Sequence, residues 1–472
     1  QWQVEGYLQD SWRIGRRLTV DYGVRWYHIG TIHDNSNAVS LFNPSLWDPS
    51  KAAALYRPAI VNGVAVAQDP RNPDNTTYLA AQYTIVPGSG DVANGMRVNG
   101  MKGDGVLLEY PFLRFSPRFG FAWDVTGNGK TSIRGAIAYL YNRPNLPTGP
   151  QNNGDNVAPV SYLDTIYYSS FSGLRQAASR LARSPVDGFT IEKNYRPETG
   201  HQWNFTIQRD IGFGTVVDVG YVGNFARHAN QNIQINPIPL RAYADPNNLF
   251  MGTPLNPNLL RKNYPGMGNL QMMTSSLSSL NYHGLQFAAN RRMNRRLGFQ
   301  FSYTFSKALG TSGWDPWHSH KWFYTPLSVD RSHVVGLNWN YEVPGPVSSP
   351  LKHILGNWLL SGTFLFTTGA PLTPTCISLS PGIQNQYPSL SGGGARCQAV
   401  ADPKSGFTKS FYSNFNTTAF TMAPAGTFGN INQGILRQPS YHNLDLTLGK
   451  QFRLKGEGRN LTVRVEAYNV LN

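Results

Sequence analysis

Residues 297–306 read LGFQFSYTFS and alternate without a break. Leu297, Phe299, Phe301, Tyr303 and Phe305 fall on one side, and Gly298, Gln300, Ser302, Thr304 and Ser306 fall on the other. A period of two is that of a β-strand, whose successive side chains point to opposite faces. One face here is continuous and aromatic, and the other is small and polar. Outward from this stretch the same pattern recurs, with Trp203, Phe205 and Ile207 set against Gln202, Asn204, Thr206 and Gln208. It predicts strands over 3–14, 17–29, 112–124, 131–142, 201–211, 215–227, 281–292, 297–308, 331–342, 357–367, 441–453 and 460–471. Most reach the roughly nine to eleven residues that a tilted strand needs to cross a bilayer.

The connections between these segments are of two kinds. Gly15-Arg16, Thr126-Gly127-Asn128-Gly129-Lys130, Gly212-Phe213-Gly214 and Lys455-Gly456-Glu457-Gly458-Arg459 are short and supply glycine where a tight turn wants it. Between the hairpins run long polar stretches near 30–111, 143–200, 228–280, 309–330 and 368–440. Loops of that length are uncommon in compact soluble domains. Short turns on one rim and long loops on the other are the habit of an outer-membrane barrel, with short periplasmic turns and long extracellular loops. The fold class read from the sequence is therefore all-β, a transmembrane antiparallel up-and-down β-barrel.

Composition agrees with this. The 472 residues include 24 Tyr, 24 Phe and 11 Trp, while charged residues make up 14%, against roughly 25% in ordinary soluble proteins. No stretch approaches the roughly 18 consecutive apolar residues of a spanning helix. Lys and Arg exceed Asp and Glu by 15, but they are dispersed and form no basic arm, so no nucleic-acid partner is expected. Trp12, Tyr139, Tyr141, Tyr221, Trp339 and Tyr341 fall near strand ends, as in an aromatic girdle. Arg25, Arg114, Arg118, Arg134, Asp218, Asp445, Arg464 and Glu466 alternate with the apolar row and are predicted to face the lumen. Arginine at the midplane of a barrel's lipid face costs about 2–4 kcal/mol, and the lumen is wet.

Several of these segments resemble the outer-membrane TonB-dependent receptors, and within them the Oar-like branch. They include YLQDSWRIGRRLTVDYGVRW (7–26), FSPRFGFAWDVTGNGKTSIRGA (115–136) and PETGHQWNFTIQRDIGFGTVVDVGYVGN (197–224). Further on come NYHGLQFAANRRMNRRLGFQFSYTFSKALG (281–310), the DRSH of Asp330 to His333, and LTVRVEAYNVLN (461–472). The resemblance implies a barrel of about 22 strands, of which residues 1–472 would supply a part of about twelve. An N-terminal plug, a TonB box and the closing C-terminal strand are expected to lie outside this chain. It also implies residence in the outer membrane of a Gram-negative bacterium, among lipid and lipopolysaccharide. The remaining partners implied are the protein's own plug, the TonB complex, and a transported ligand: a siderophore, cobalamin, an oligosaccharide or a peptide.

Other readings remain beside this one. A passive porin or an adhesion or surface-organising barrel would share the strand pattern, and a soluble carbohydrate-binding β protein would share the loop aromatics. Within one long loop Trp314, Trp317, His318, His320, Trp322 and Tyr324 crowd together and offer rings for ligand stacking. The alternative for that cluster is packing against neighbouring loops or lipopolysaccharide. Two histidines at i and i+2 lack the further ligands a metal needs, so no metal or cofactor is expected. Cys376 and Cys397 read as a loop disulfide in an oxidising compartment. There is no GxSxG, no HExxH and no GKS/GKT phosphate loop, so no catalytic residue is assigned.

Overall fold

The computed structural model describes residues 2–34, 39–98, 106–109, 113–142, 164–166, 181–192, 195–239, 241–242, 245–294, 296–311, 313–314, 323–345, 356, 358–376, 396–410, 412–424, 429–453 and 459–471. Its wall strands are β1 (Gln3–Ile14), β2 (Leu18–Ile29), β3 (Arg114–Asp124), β4 (Thr131–Tyr141), β5 (Thr199–Gly212) and β6 (Thr215–Gln234). They continue with β7 (Leu270–Asn294), β8 (Leu297–Thr311), β9 (His333–Val343), β10 (Trp358–Thr367), β11 (Tyr441–Arg453) and β12 (Asn460–Ala467). All twelve pair in chain order along one sheet, each antiparallel to its neighbours. Every strand expected from alternation is present. No helix among the described residues is long and apolar enough to cross a membrane, and this says nothing of crossing by strands.

Register carries the apolar row of one strand onto that of the next. Phe205 pairs with Tyr221, Tyr221 with Leu285, Leu285 with Phe305 and Phe305 with His333. This face leaves large apolar side chains open, among them Phe115 (54% exposed), Ile137 (56%) and Phe305 (50%). In a soluble protein such a surface would aggregate, whereas in a bilayer it is the contact surface. We therefore expect Phe301→Arg to destabilise the intact protein in lipid by about 2–4 kcal/mol, with Gln300→Arg on the opposite face costing far less. Equal shifts in denaturant midpoint for the two variants would show that the faces are not so divided.

Four glycines on the apolar face are roofed by an aromatic ring from the residue paired with them. Trp26 lies over Gly6, Phe121 over Gly135, Trp203 over Gly223 and Trp339 over Gly362, so a Cβ at any of these glycines would collide with the ring. A ring laid across a strand glycine covers backbone that would otherwise meet hydrocarbon bare.

Some charges do occupy this face. Arg209, Arg227, Arg291, Lys307 and Lys450 sit toward strand ends, where long stems let charged heads reach the headgroups. Asp10 lies within β1, and its Oδ2 accepts from the Tyr22 hydroxyl at 2.9 Å.

The long connections differ most from their reading as loops. β6 and β7 run for 20 and 25 residues, well past the roughly ten that span a bilayer. Their register shifts three times between Ala226 and Ile233, and His228 there has φ 57°. Bulges of this kind bend and twist a strand pair. Beside them Arg57–Val61, Val64–Asp69 and Asn72–Tyr78 form a three-stranded sheet. Its first hairpin turns on Asn62 (φ 51°) and Gly63 (φ 80°), the asparagine-glycine pair that such a turn favours.

Among the described residues the hydrophobic clusters lie in this cap, formed by the long connections and the upper end of β7. One cluster gathers Val39, Leu41, Leu107, Leu108, Ile191 and Tyr195, and another joins Phe42, Val186, Met267 and Leu270. The wall has lipid to satisfy its apolar face, so only the parts standing in water need a core of their own.

Candidate functional site

The polar rows of β1–β12 make one face of the wall, and Arg25, Arg114, Arg118, Arg134, Asp218, Asp445, Arg464 and Glu466 take register positions on those rows. Glu5 forms an ion pair with Arg25, and Arg118 donates to the Gln9 side chain. Arg134 donates to Gln208 Oε1 at 3.3 Å, and Gln208 pairs in register with Asp218. At the far end Arg464 is paired with Glu466, while Asp445 accepts from Asn443 Nδ2 at 3.1 Å and from the Asn469 amide at 2.8 Å. The Arg114 guanidinium lies 5.4 Å from the centre of the Tyr141 ring. These groups engage one another along the wall, where exposed pairs contribute little to stability.

Where the wall meets the long loops, a cavity of about 680 Å³ opens on the inner face. Its lining includes Asn142, Glu198, Gln202, Asn224, Asn281 and Tyr282, with Leu327 and Val329 over it from the loop after β8, and among the described residues it contains no Lys, Arg or His. Asn142 donates to Glu198 Oε2 at 3.1 Å. Tyr282 lies along the wall over Gly284, which has no Cβ to hold it off. The site offers amide, hydroxyl and carboxylate groups, chemistry suited to hydroxyl- or amide-bearing ligands.

Of the aromatic cluster, Trp314 and Tyr324 fall among the described residues. Trp314 is half-buried, and Tyr324 joins a short strand, Tyr324–Pro326, on β8, where its hydroxyl receives the Asn281 amide. Trp317, His318, His320 and Trp322 lie outside the described residues. Cys376 and Cys397 are bonded, with Cα atoms 5.3 Å apart, in the loop between β10 and β11. Among the described residues no group of three or more His, Cys, Asp or Glu is arranged to hold a metal ion.

Two polar centres of the cap are built from partners that the sequence does not link. Asp330 is 1% exposed and takes an ion pair from Arg437, a second contact from Lys307 Nζ at 3.5 Å, and the Ala308 amide at 2.6 Å. The DRSH stretch pointed to Asp330, but nothing local points to Arg437. Asn236, fully buried, donates from Nδ2 to the carbonyls of Tyr264 (3.1 Å), Met267 (3.3 Å) and Gly268 (3.0 Å), and its Oδ1 accepts from the Tyr264 amide at 3.1 Å. Close by, burial pushes the Asp187 carboxyl above the usual aspartate range, against the pull of the Asn269 amide and of Arg261.

Comparison with solved structures finds the FrpB iron transporter of Neisseria meningitidis (F3-3 variant), at 10% identity and TM-score 0.40, covering 98% of this chain and 40% of that one. The outer membrane transporter YddB of Escherichia coli gives 10% identity and TM-score 0.42, covering 99% and 50%. The ferric-catecholate import receptor Fiu of E. coli K12 gives 12% and 0.38, covering 99% and 40%. The chain thus spans half or less of each of these proteins, and at such low identity no ligand passes from them to it. Comparison with curated proteins gives no match. A family model described as "Outer membrane beta barrel domain" matches residues 1–472, the whole sequence. With its twelve-strand wall and that match end to end, the chain belongs to the outer membrane beta barrel domain family, whose place is the outer membrane of a Gram-negative bacterium.

Proposed function

We propose that the chain is barrel wall and extracellular ligand-binding cap of a TonB-dependent transporter, of the Oar-like branch, that takes up a large ligand. The plug and the strands that complete the barrel belong, in this reading, to the rest of the protein, as does contact with TonB. No catalytic step is assigned. The observation that carries the reading is the folded cap, with its own hydrophobic clusters and a cavity beneath it on the inner wall. A passive pore needs an opening rather than ordered structure above it. Lipopolysaccharide would surround the wall strands, and the bonded pair Cys376–Cys397, 21 positions apart, would stiffen the cap by about 3 kcal/mol in the chain-entropy model.

Among siderophore, cobalamin, oligosaccharide and peptide, the amides and single carboxylate of the cavity favour an oligosaccharide or a peptide over an anionic siderophore. The aromatic loop, including Trp317, His318, His320 and Trp322, would supply further contacts from outside. The intact protein in a planar bilayer is expected to conduct little until mild urea loosens its plug. A steady large conductance in untreated protein would instead establish the porin-like alternative.

A further inference from the structure

The rim of short turns carries charge that the wall does not use. Arg209 on β5 pairs in register with Val217, and Arg291 on β7 with Thr215, so only β6 separates these two arginines on the apolar face. With roughly 4.8 Å between neighbouring strands and about 3.3 Å per residue along β6, the two-residue offset puts their backbones about 12 Å apart, within reach of one phosphate-sized group. No ion pair among the described residues involves either of them. Arg291 donates from Nη2 to the Asn294 carbonyl at 3.3 Å, and its Nε is buried without a hydrogen-bond partner. At the opposite end of the same face the basic residues are satisfied within the chain. There Arg227 donates to the carbonyls of Ala226 and Leu280, and Lys307 faces Asp330.

Apolar side chains surround the two arginines. Ile211 is 54% exposed, Met293 48% and Phe213 76%. Phe213 tops its turn at φ 56°, a conformation that glycine or asparagine adopts with less strain. A phenyl ring held there in the open gains nothing from the chain itself, but it gains from an interface between water and lipid. The same rim bears Arg16, Arg17, Lys130, Arg292 and Arg296. Of its acids, Asp124 is occupied by the amides of Gly127 and Gly129, and Asp210 by that of Gly212. Guanidinium groups among exposed apolar side chains are the makings of a site for anionic lipid.

We propose that Arg209 and Arg291 hold the headgroup phosphate of an anionic phospholipid of the periplasmic leaflet, with Ile211, Phe213 and Met293 seated beside it; the leaflet rests on reading the short turns as periplasmic. The test uses the intact protein in detergent, titrated with fluorescent phosphatidylglycerol and, separately, phosphatidylcholine. Phosphatidylglycerol should bind more tightly, and added salt should erode the difference. The double variant Arg209→Gln/Arg291→Gln should lose roughly fivefold per arginine, about twenty-five-fold in all, with phosphatidylcholine binding unchanged.

Lys51→Gln, in the cap, should change nothing. Equal affinity of the unaltered protein for the two lipids would overturn the proposal without need of any variant, as would a folded double variant that keeps its preference. Complete displacement of phosphatidylglycerol by soluble peptidoglycan fragments would reassign the rim to the cell wall. Orientation is checked separately with Asn128→Cys in whole cells. Labelling by an impermeant maleimide only after permeabilisation supports the periplasmic leaflet, and labelling of intact cells overturns that part while the transporter reading stands on its own conductance test.

Discussion

Replacing Asp330 by Ala should release the cap from the wall. The carboxylate is withdrawn from solvent and receives Arg437, Lys307 and the Ala308 amide, while Arg437 Nη1 also donates to the carbonyls of Asp330 and Gly369 at 3.2 Å each. One side chain thus ties β8, the loop after it and the loop preceding β11. Removing one partner of a buried ion pair costs about 3–5 kcal/mol, because the other partner stays behind unpaired. Local opening should rise by roughly two to three and a half powers of ten, since each 1.4 kcal/mol is a factor of ten. Limited proteolysis of outer-membrane vesicles should then cut the 429–440 segment quickly and leave the strands intact. Digestion at the unaltered rate would mean that Asp330 holds nothing together.

The second large effect is expected at Asn236. Its side chain satisfies three carbonyls and one amide of the segment from Tyr264 to Gly268, beside the cluster of Phe42, Val186, Met267 and Leu270. Alanine would strand those groups in a space with no other donor of that shape. Each buried group left unsatisfied costs about 1–3 kcal/mol, so a loss of roughly 3 kcal/mol or more is expected in this part of the cap. Hydrogen exchange of residues 257–272 in the intact protein would report it. Protection unchanged in Asn236→Ala would show that water replaces the amide without cost.

What was legible in the sequence was what is local. Alternation over ten residues fixes a strand and its two rows, and so all twelve wall strands could be read directly, with the polar row that carries Arg25 to Glu466. The upper part of β7 was not, because Thr274 to Ser279 reads TSSLSS and carries no two-faced pattern once the strand has left the bilayer. The ring-over-glycine pairs depend on cross-strand register, which no single segment states. Asp330 and Arg437 lie 107 positions apart, and no periodicity links them. The cavity is likewise assembled from strands and loops far apart in the chain. The three-stranded sheet of the cap, by contrast, was within reach: Asn62-Gly63 between runs of valine and isoleucine is a plain hairpin signal.

The location of the hydrophobic clusters sets an order of events for assembly. Phe42 comes from the first long connection, Val186 from the second, and Met267 and Leu270 from the third. The three contributions meet once the hairpins between those connections stand side by side, so this cluster of the cap forms after the strands beneath it. Until then its apolar residues stay apart, and contacts so distant in sequence form slowly. A chain built this way completes its wall before it has anything to close over it.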